Sequence, residues 1–214
     1  MASDTELLEM IAAQRRDLAD LLDGLTDAQA ATASLCAGWT VKDVAVHVTI
    51  PLHTSLPRFA LAIAGSFGNF DKAMIKIVRK ESSRSLAAVA KELRDQATNP
   101  FTPPGGFGFI APLDDALVHT QDIRRPLGLG NGLAPDRVKA VLDGLANKKF
   151  DKILKRERFA GVRLEADDLD YSSGSGPTAT GPGEAVLMTL NGRVSALDDL
   201  TGDGVAILRR RLAS

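Results

Sequence analysis

Leu35-Cys-Ala-Gly-Trp-Thr-Val-Lys-Asp-Val-Ala-Val-His47 holds the clearest helix start in this 214-residue chain. Thr40, Val41, Lys42 and Asp43 have the form of a capping box. In that arrangement the threonine side chain satisfies an orphan amide of the first turn, and the acidic residue reaches back to the threonine's own N–H. Val41, Val44, Ala45 and Val48 then recur at helical spacing and give the segment a buried face. Trp39, the sole tryptophan, reads as the apolar anchor of this helix start, and Cys36 as a small residue in the loop before it. Pro51 and Pro57 should kink or break the run. A further helical stretch is expected over about residues 55–80.

Upstream, Ser3 and Asp4 can cap a helix whose Leu7, Leu8, Ile11, Leu18, Leu21 and Leu22 share one stripe. Arg15, Arg16, Asp17 and Asp20 fall largely between them, so one stripe faces a core, and the helix should end near Gly24. Downstream, residues 83–96 form another amphipathic segment through Leu86, Val89, Ala90 and Leu93. Residues 99–108 are too rich in proline and glycine for a regular helix, and a long loop inside a compact domain is more often functional than idle. Helices are expected over 112–125, where Pro126 and Gly128 follow, and from Pro135 to about Ala146. Long helices with short breaks predict a mainly α fold, an up-and-down four-helix bundle, over residues 1–147. Residues 148–214 change character and predict a small α+β appendage. There, 161–166 alternates as a strand, 169–173 can pair with it, 172–183 reads as a connection, and 184–190 and 204–212 read as short helices.

Composition narrows the function classes. With 44% hydrophobic and 25% charged residues, and 26 basic side chains nearly matched by 27 acidic ones, the chain has no dominant field for a polyanion. Arg209, Arg210 and Arg211 read as a solvated last helical turn that suits the helix dipole, so nucleic acid is not an expected partner. One cysteine cannot form an internal disulfide. The opening MASDTELLEM has no cationic segment followed by an apolar core, and no stretch approaches the roughly 20 apolar residues needed to cross a bilayer. A cytoplasmic location without membrane partners is expected.

Chemistry has few places to sit. The histidines are His47, His53 and His119. Asp115 and His119 are four apart and project about 40° apart on one helix face, a spacing that lets both reach one metal ion. His47, one turn past Asp43, could close the set from another helix, leaving an open position as in zinc-type catalytic sites. The same residues fit two plainer readings: a helix-surface ion pair for Asp115 and His119, and a hydrogen-bonded core residue for His47. Asp122 could orient the other ring nitrogen of His119 or act as a ligand itself. His53 is excluded as a ligand, because six residues and Pro51 separate it from His47.

A resemblance favours the metal reading. Residues 35–47 resemble the start of the second bundle helix in the mycothiol-dependent maleylpyruvate isomerase family of the DinB-like superfamily. There a proline or cysteine precedes Gly-Trp-Thr-Val, a basic residue, Asp-Val and a metal-binding histidine. Asp115-Ala-Leu-Val-His119-Thr-Gln-Asp-Ile-Arg-Arg-Pro-Leu-Gly128 resembles the family's second motif, an acidic residue four before a histidine. Leu190-Asn-Gly-Arg193 through Gly202-Asp203 is similar to its C-terminal appendage. The match covers about residues 5–130 and 181–212 and does not place 147–180.

The resemblance implies a DinB-like bundle holding a divalent metal, zinc by type, on His47, Asp115 and His119. It implies mycothiol as thiol cofactor or co-substrate and a small electrophilic substrate. A metal-activated thiolate would attack that substrate, for isomerisation or for transfer. Well-studied members carry glutamate where this chain has the shorter Asp115. Residues 101–109 would supply an apolar pocket wall, and Arg193 would hold a carboxylate of thiol or substrate as a catalytic residue. The alternative function is a non-catalytic DinB-like protein that binds metal or forms a homodimer.

Overall fold

The computed structural model describes residues 2–54, 57, 61, 64–65 and 70–213. Among these the fold is mainly α, with ten α-helices and one small sheet. The helices are α1 (Asp4–Asp23), α2 (Asp27–Ala30), α3 (Val41–His47), α4 (Ile50–His53), α5 (Phe70–Glu81), α6 (Leu86–Asp95), α7 (Ile110–Arg124), α8 (Pro135–Leu145), α9 (Gly183–Leu190) and α10 (Asp203–Leu212). The expected helix over 55–80 is met at its end by α5, and most of 55–69 lies outside the described residues. None of the described helices is long and apolar enough to cross a membrane.

The chain forms two compact units, neither of them a continuous stretch. One comprises Leu8–Thr102 and His119–Gly130; the other comprises Met1–Leu7, Pro103–Val118 and Asn131–Ser214. Helix α7 contributes residues to each.

In the first unit, a core of Leu18, Leu22, Val41, Val44, Ile50, Met74, Val89, Leu93 and Ile123 draws on α1, α3 to α7. The capping box sets where α3 begins. Thr40 Oγ1 accepts from Asp43 N at 3.1 Å, and Asp43 Oδ2 accepts from Thr40 N at 2.9 Å. The preceding loop is folded back on itself: Ser34 N donates to Trp39 O (2.9 Å) and Trp39 N to Cys36 O (3.0 Å). That turn needs φ +78° at position 38, a conformation glycine adopts without strain. Ser85 begins α6 in the same way, accepting from Ala88 N at 3.2 Å.

Arg15 departs from the sequence expectation. It is buried, and its Nη1 donates to the carbonyls of Gln96 (3.1 Å), Ala97 (3.0 Å) and Asn99 (2.8 Å). These carbonyls follow the end of α6, where backbone acceptors lack helical partners, and a guanidinium supplies both donors and positive charge there.

The second unit holds a three-stranded sheet in the order β2-β1-β3, with β1 at Arg163–Ala166, β2 at Ser172–Gly174 and β3 at Thr178–Gly181. β1 pairs antiparallel with β2, Leu164 opposite Ser173, and parallel with β3, Leu164 opposite Ala179. The segment expected as a connection therefore contains two strands. β3 is Thr-Ala-Thr-Gly between two prolines, with Ala179 and Gly181 turned inward. Its inward residues are small because the neighbouring chain is close: a Cβ on Gly181 would stand 2.4 Å from Asp199 O. All eight residues of α9 are buried, and the helix packs on β1, β3 and α8. Residues 148–159, beyond the reach of periodicity, form two 3-10 turns at Lys148–Phe150 and Arg156–Phe159.

Candidate metal centre

Helix α7 carries Asp115, His119 and Asp122 on successive turns of one face. A buried hydrogen bond fixes this helix against α1: Gln14 Nε2 donates to Thr120 Oγ1 at 3.0 Å, one residue past His119. The capping-box loop is tied to it as well, since Leu35 N donates to Asp122 O at 3.2 Å. The loop and α3 thereby bring Cys36 and His47 to the α7 face, with Trp39 packed on His47.

His119 is held from two directions. Its Nδ1 lies 2.8 Å from Asp122 Oδ2, a carboxylate with no solvent exposure. Its ring packs edge-on against His47, with centroids 4.7 Å apart and planes at 84°. His47 packs in turn against Trp39, at 5.1 Å and 67°. With Nδ1–H donated to Asp122, the neutral imidazole keeps its lone pair on Nε2, the atom a metal would take. Of the two sequence readings of Asp122, this contact is that of the orienting carboxylate.

His47, Asp115 and His119 each present one ligand atom, all within 4.8 Å of one another. Asp115 stands one turn before His119 on the same continuous helix, so its place beside that imidazole follows from helix geometry. The donor set is two imidazole nitrogens and one carboxylate oxygen, which fits a zinc-type ion. A second group shares His119: Cys36, His119 and Asp122 also place one ligand atom each within 4.8 Å. Cys36 Sγ donates to Asp122 Oδ2 at 3.1 Å and lies 3.8 Å from His119 Nδ1.

The sequence reads Cys36 as a small residue in the loop before Gly38 and Trp39, and it lies in that loop. It is part of this cluster, and no spacing rule relates positions 86 residues apart. Trp39 is both a core anchor and the packing partner of His47.

His53 sits between two carboxylates, Nδ1 2.7 Å from Glu92 Oε1 and Nε2 3.0 Å from Glu81 Oε1. Arg84 completes that network by pairing with Glu81 (3.0 Å) and Glu92. Hydrogen bonds to both glutamates hold the guanidinium above its ordinary pKa, although burial works the other way as the largest single influence. Arg193 follows α9, and its Nη1 donates to Asn191 O at 2.8 Å. In the loop at 101–109, Phe107 packs on Phe150 at 5.3 Å, and Lys149 Nζ donates to Gly106 O at 3.2 Å.

Comparison with known proteins gives this geometry a context. A comparison with curated proteins finds no match. Two crystal structures titled as the mycothiol-dependent maleylpyruvate isomerase, one of a histidine-to-alanine mutant, share the fold. The mutant structure is 16% identical with a TM-score of 0.58, and the other 14% identical with a TM-score of 0.56. Each match covers 94% of this chain and 93% of the other. At these identities the likeness is one of fold, helical and DinB-like with a small C-terminal sheet. The family model described as the mycothiol maleylpyruvate isomerase N-terminal domain matches residues 11–124, more than half of the chain and the part that carries His47, Asp115 and His119. The chain belongs to that family.

Proposed function

We propose that this protein is a metal-dependent enzyme that uses a low-molecular-weight thiol, mycothiol, to isomerise a small electrophilic substrate or to be transferred to it. The observation that carries this reading is the convergence of His47, Asp115 and His119, with ligand atoms within 4.8 Å of one another. Donors sharing one tetrahedral zinc lie about 3.3 Å apart, so modest side-chain rotations bring the set to bonding distance. That Asp115 takes part in this group despite its shorter side chain supports the same ligand set with aspartate.

A divalent ion there, zinc in this proposal, supplies Lewis acidity that keeps a coordinated thiol as thiolate at neutral pH. The chain's own residues prepare the place. Asp122 holds the His119 ring in the tautomer that frees Nε2. Trp39 and His119 restrict the His47 ring from two sides. Arg193 is proposed to hold a carboxylate of the thiol or the substrate, as a guanidinium fork suits a planar carboxylate. The fold's relatives, titled as mycothiol-dependent isomerases, and the family membership support the choice of thiol and reaction.

The test is turnover of maleylpyruvate, and conjugation of a model electrophile, with metal and thiol varied independently. Activity should require both, mycothiol should serve better than glutathione, and Asp115→Ala should abolish it. Metal-loaded protein that turns over neither substrate class with either thiol would leave a non-catalytic metal-binding role in its place.

A further inference from the structure

Cys36, His119 and Asp122 bring a thiol sulfur, an imidazole nitrogen and a carboxylate oxygen together within the first unit. The separations are 3.1 Å from Sγ to Oδ2, 3.8 Å from Sγ to Nδ1 and 2.8 Å from Nδ1 to Oδ2. On a tetrahedral zinc-type ion with ordinary bond lengths, sulfur–nitrogen and sulfur–oxygen pairs lie about 3.5 Å apart and nitrogen–oxygen pairs about 3.3 Å. Each observed separation is within about half an ångström of that geometry. Backbone ties hold the parts in place: Leu35 N to Asp122 O at 3.2 Å, and Trp39 N to Cys36 O at 3.0 Å.

We propose that these three side chains form a second, thiolate-containing site for a thiophilic divalent ion, alternative to the one on His47, Asp115 and His119. His119 is the pivot. It ligates the first site through Nε2 while Nδ1–H donates to Asp122. It ligates the second through Nδ1, with the ring proton moved to Nε2. A neutral imidazole carries one N–H, so the two positions exclude each other.

The proton balance follows. Binding at the second site releases one proton, from the Cys36 thiol, and the imidazole proton changes nitrogen without net release. Electrostatics favour softer, thiophilic ions there. Thiolate and carboxylate together neutralise a dication, whereas the first site offers one anionic ligand, and sulfur selects thiophilic metals over oxygen-seeking ones. Asp122 is fully buried, and a buried carboxylate gains from a directly bound cation.

The experiment uses the whole chain, stripped of metal by a chelator and kept in thiol-free buffer. Cadmium is added while thiolate-to-metal charge-transfer absorbance is followed. Cys36 is the one cysteine, so any such band reports that residue. The band should saturate at one cadmium per chain, persist in His47→Ala and Asp115→Ala, and vanish in Cys36→Ala. In His119→Ala the cadmium affinity should fall at least tenfold. Independently of any variant, saturating cadmium should slow alkylation of wild-type Cys36 at least tenfold. No band and unchanged alkylation on protein shown by dialysis to hold cadmium would overturn the proposal. So would saturation at one cadmium per two chains, the mark of a bridge between molecules. Because His47→Ala and Asp115→Ala remove the other site, failure there leaves this result readable.

Discussion

Replacing Asp122 tests how the centre is oriented. Its Oδ2 accepts from His119 Nδ1 at 2.8 Å and from Cys36 Sγ at 3.1 Å, with no exposure to water. Asp122→Asn keeps one acceptor oxygen of the same reach, so both donors can stay bonded. What is lost is the ionic part of two hydrogen bonds, and charge-assisted bonds are roughly twice as strong as neutral ones. Loss of such a supporting carboxylate typically costs about 10- to 100-fold in metal affinity, or ~1.4 to 2.7 kcal/mol. Asp122→Asn should fall near the lower end. Asp122→Ala removes this acceptor altogether and frees the part-buried imidazole ring to turn, so it should fall near the upper end. In the metal-free protein, Asp122→Ala should also cost about 1.5–3 kcal/mol, the net worth of hydrogen bonds made to a charged acceptor. Zinc affinity is read by competition with a chromophoric chelator, and stability by thermal unfolding in excess chelator. If Asp122→Ala binds zinc as tightly as wild type, the His119 tautomer is not set by Asp122, and the orientation argument fails.

Other consequences are as direct. Thr40→Ala removes one half of the capping box at the start of α3 and should cost about 1 kcal/mol, a fall in Tm of roughly 2–4 °C for a chain of this size; an unchanged Tm would refute that role. Arg15→Met should cost about 2–3 kcal/mol in denaturant titration, because buried carbonyls lose a charged donor, whereas the exposed Arg16→Met should stay within about 0.5 kcal/mol. Equal effects would place Arg15 on the solvent face after all. Tyr171, the sole tyrosine, has its phenol pushed up mainly by burial, against an opposing hydrogen bond to Ser173. Ultraviolet titration should therefore show one phenol ionising above its ordinary value of about 10 in the native state and returning to it in denaturant. The unfolded chain ionises first, so this contribution to stability is whole below about pH 10 and is lost as pH rises through the folded value. A native midpoint at or below the ordinary value would refute the burial.

Local chemistry made part of this legible in sequence. The capping box at Thr40 and Asp43, the helix breakers at Pro126 and Gly128, and the apolar periods of α1 and α6 are short-range signals, and the structure uses each of them. The strand at Thr178–Gly181 carries no such signal, because its inward residues are small for the sake of a close neighbour rather than large for the sake of a core. Arg15 escaped for a related reason: its partners are backbone carbonyls beyond position 95, which no pattern within α1 can reveal. At the centre, the Asp115–His119 spacing was readable because both lie on one helix. That Asp122 meets His119 through Nδ1 needed side-chain geometry to decide. The approach of Cys36 to Asp122 depends on how a loop lies against a distant helix, which is a tertiary fact.

His47, Asp115 and His119 are proposed to hold one ion together. Zinc content per chain after exhaustive dialysis against metal-free buffer tests it most directly, on protein first loaded with zinc. Wild type and His53→Ala should retain about one ion per chain; His47→Ala and His119→Ala, each combined with Cys36→Ala so that the thiolate site cannot compensate, should fall well below it, since each loses one of three ligands. Equal zinc in all four proteins, or none in wild type, would contradict the assignment.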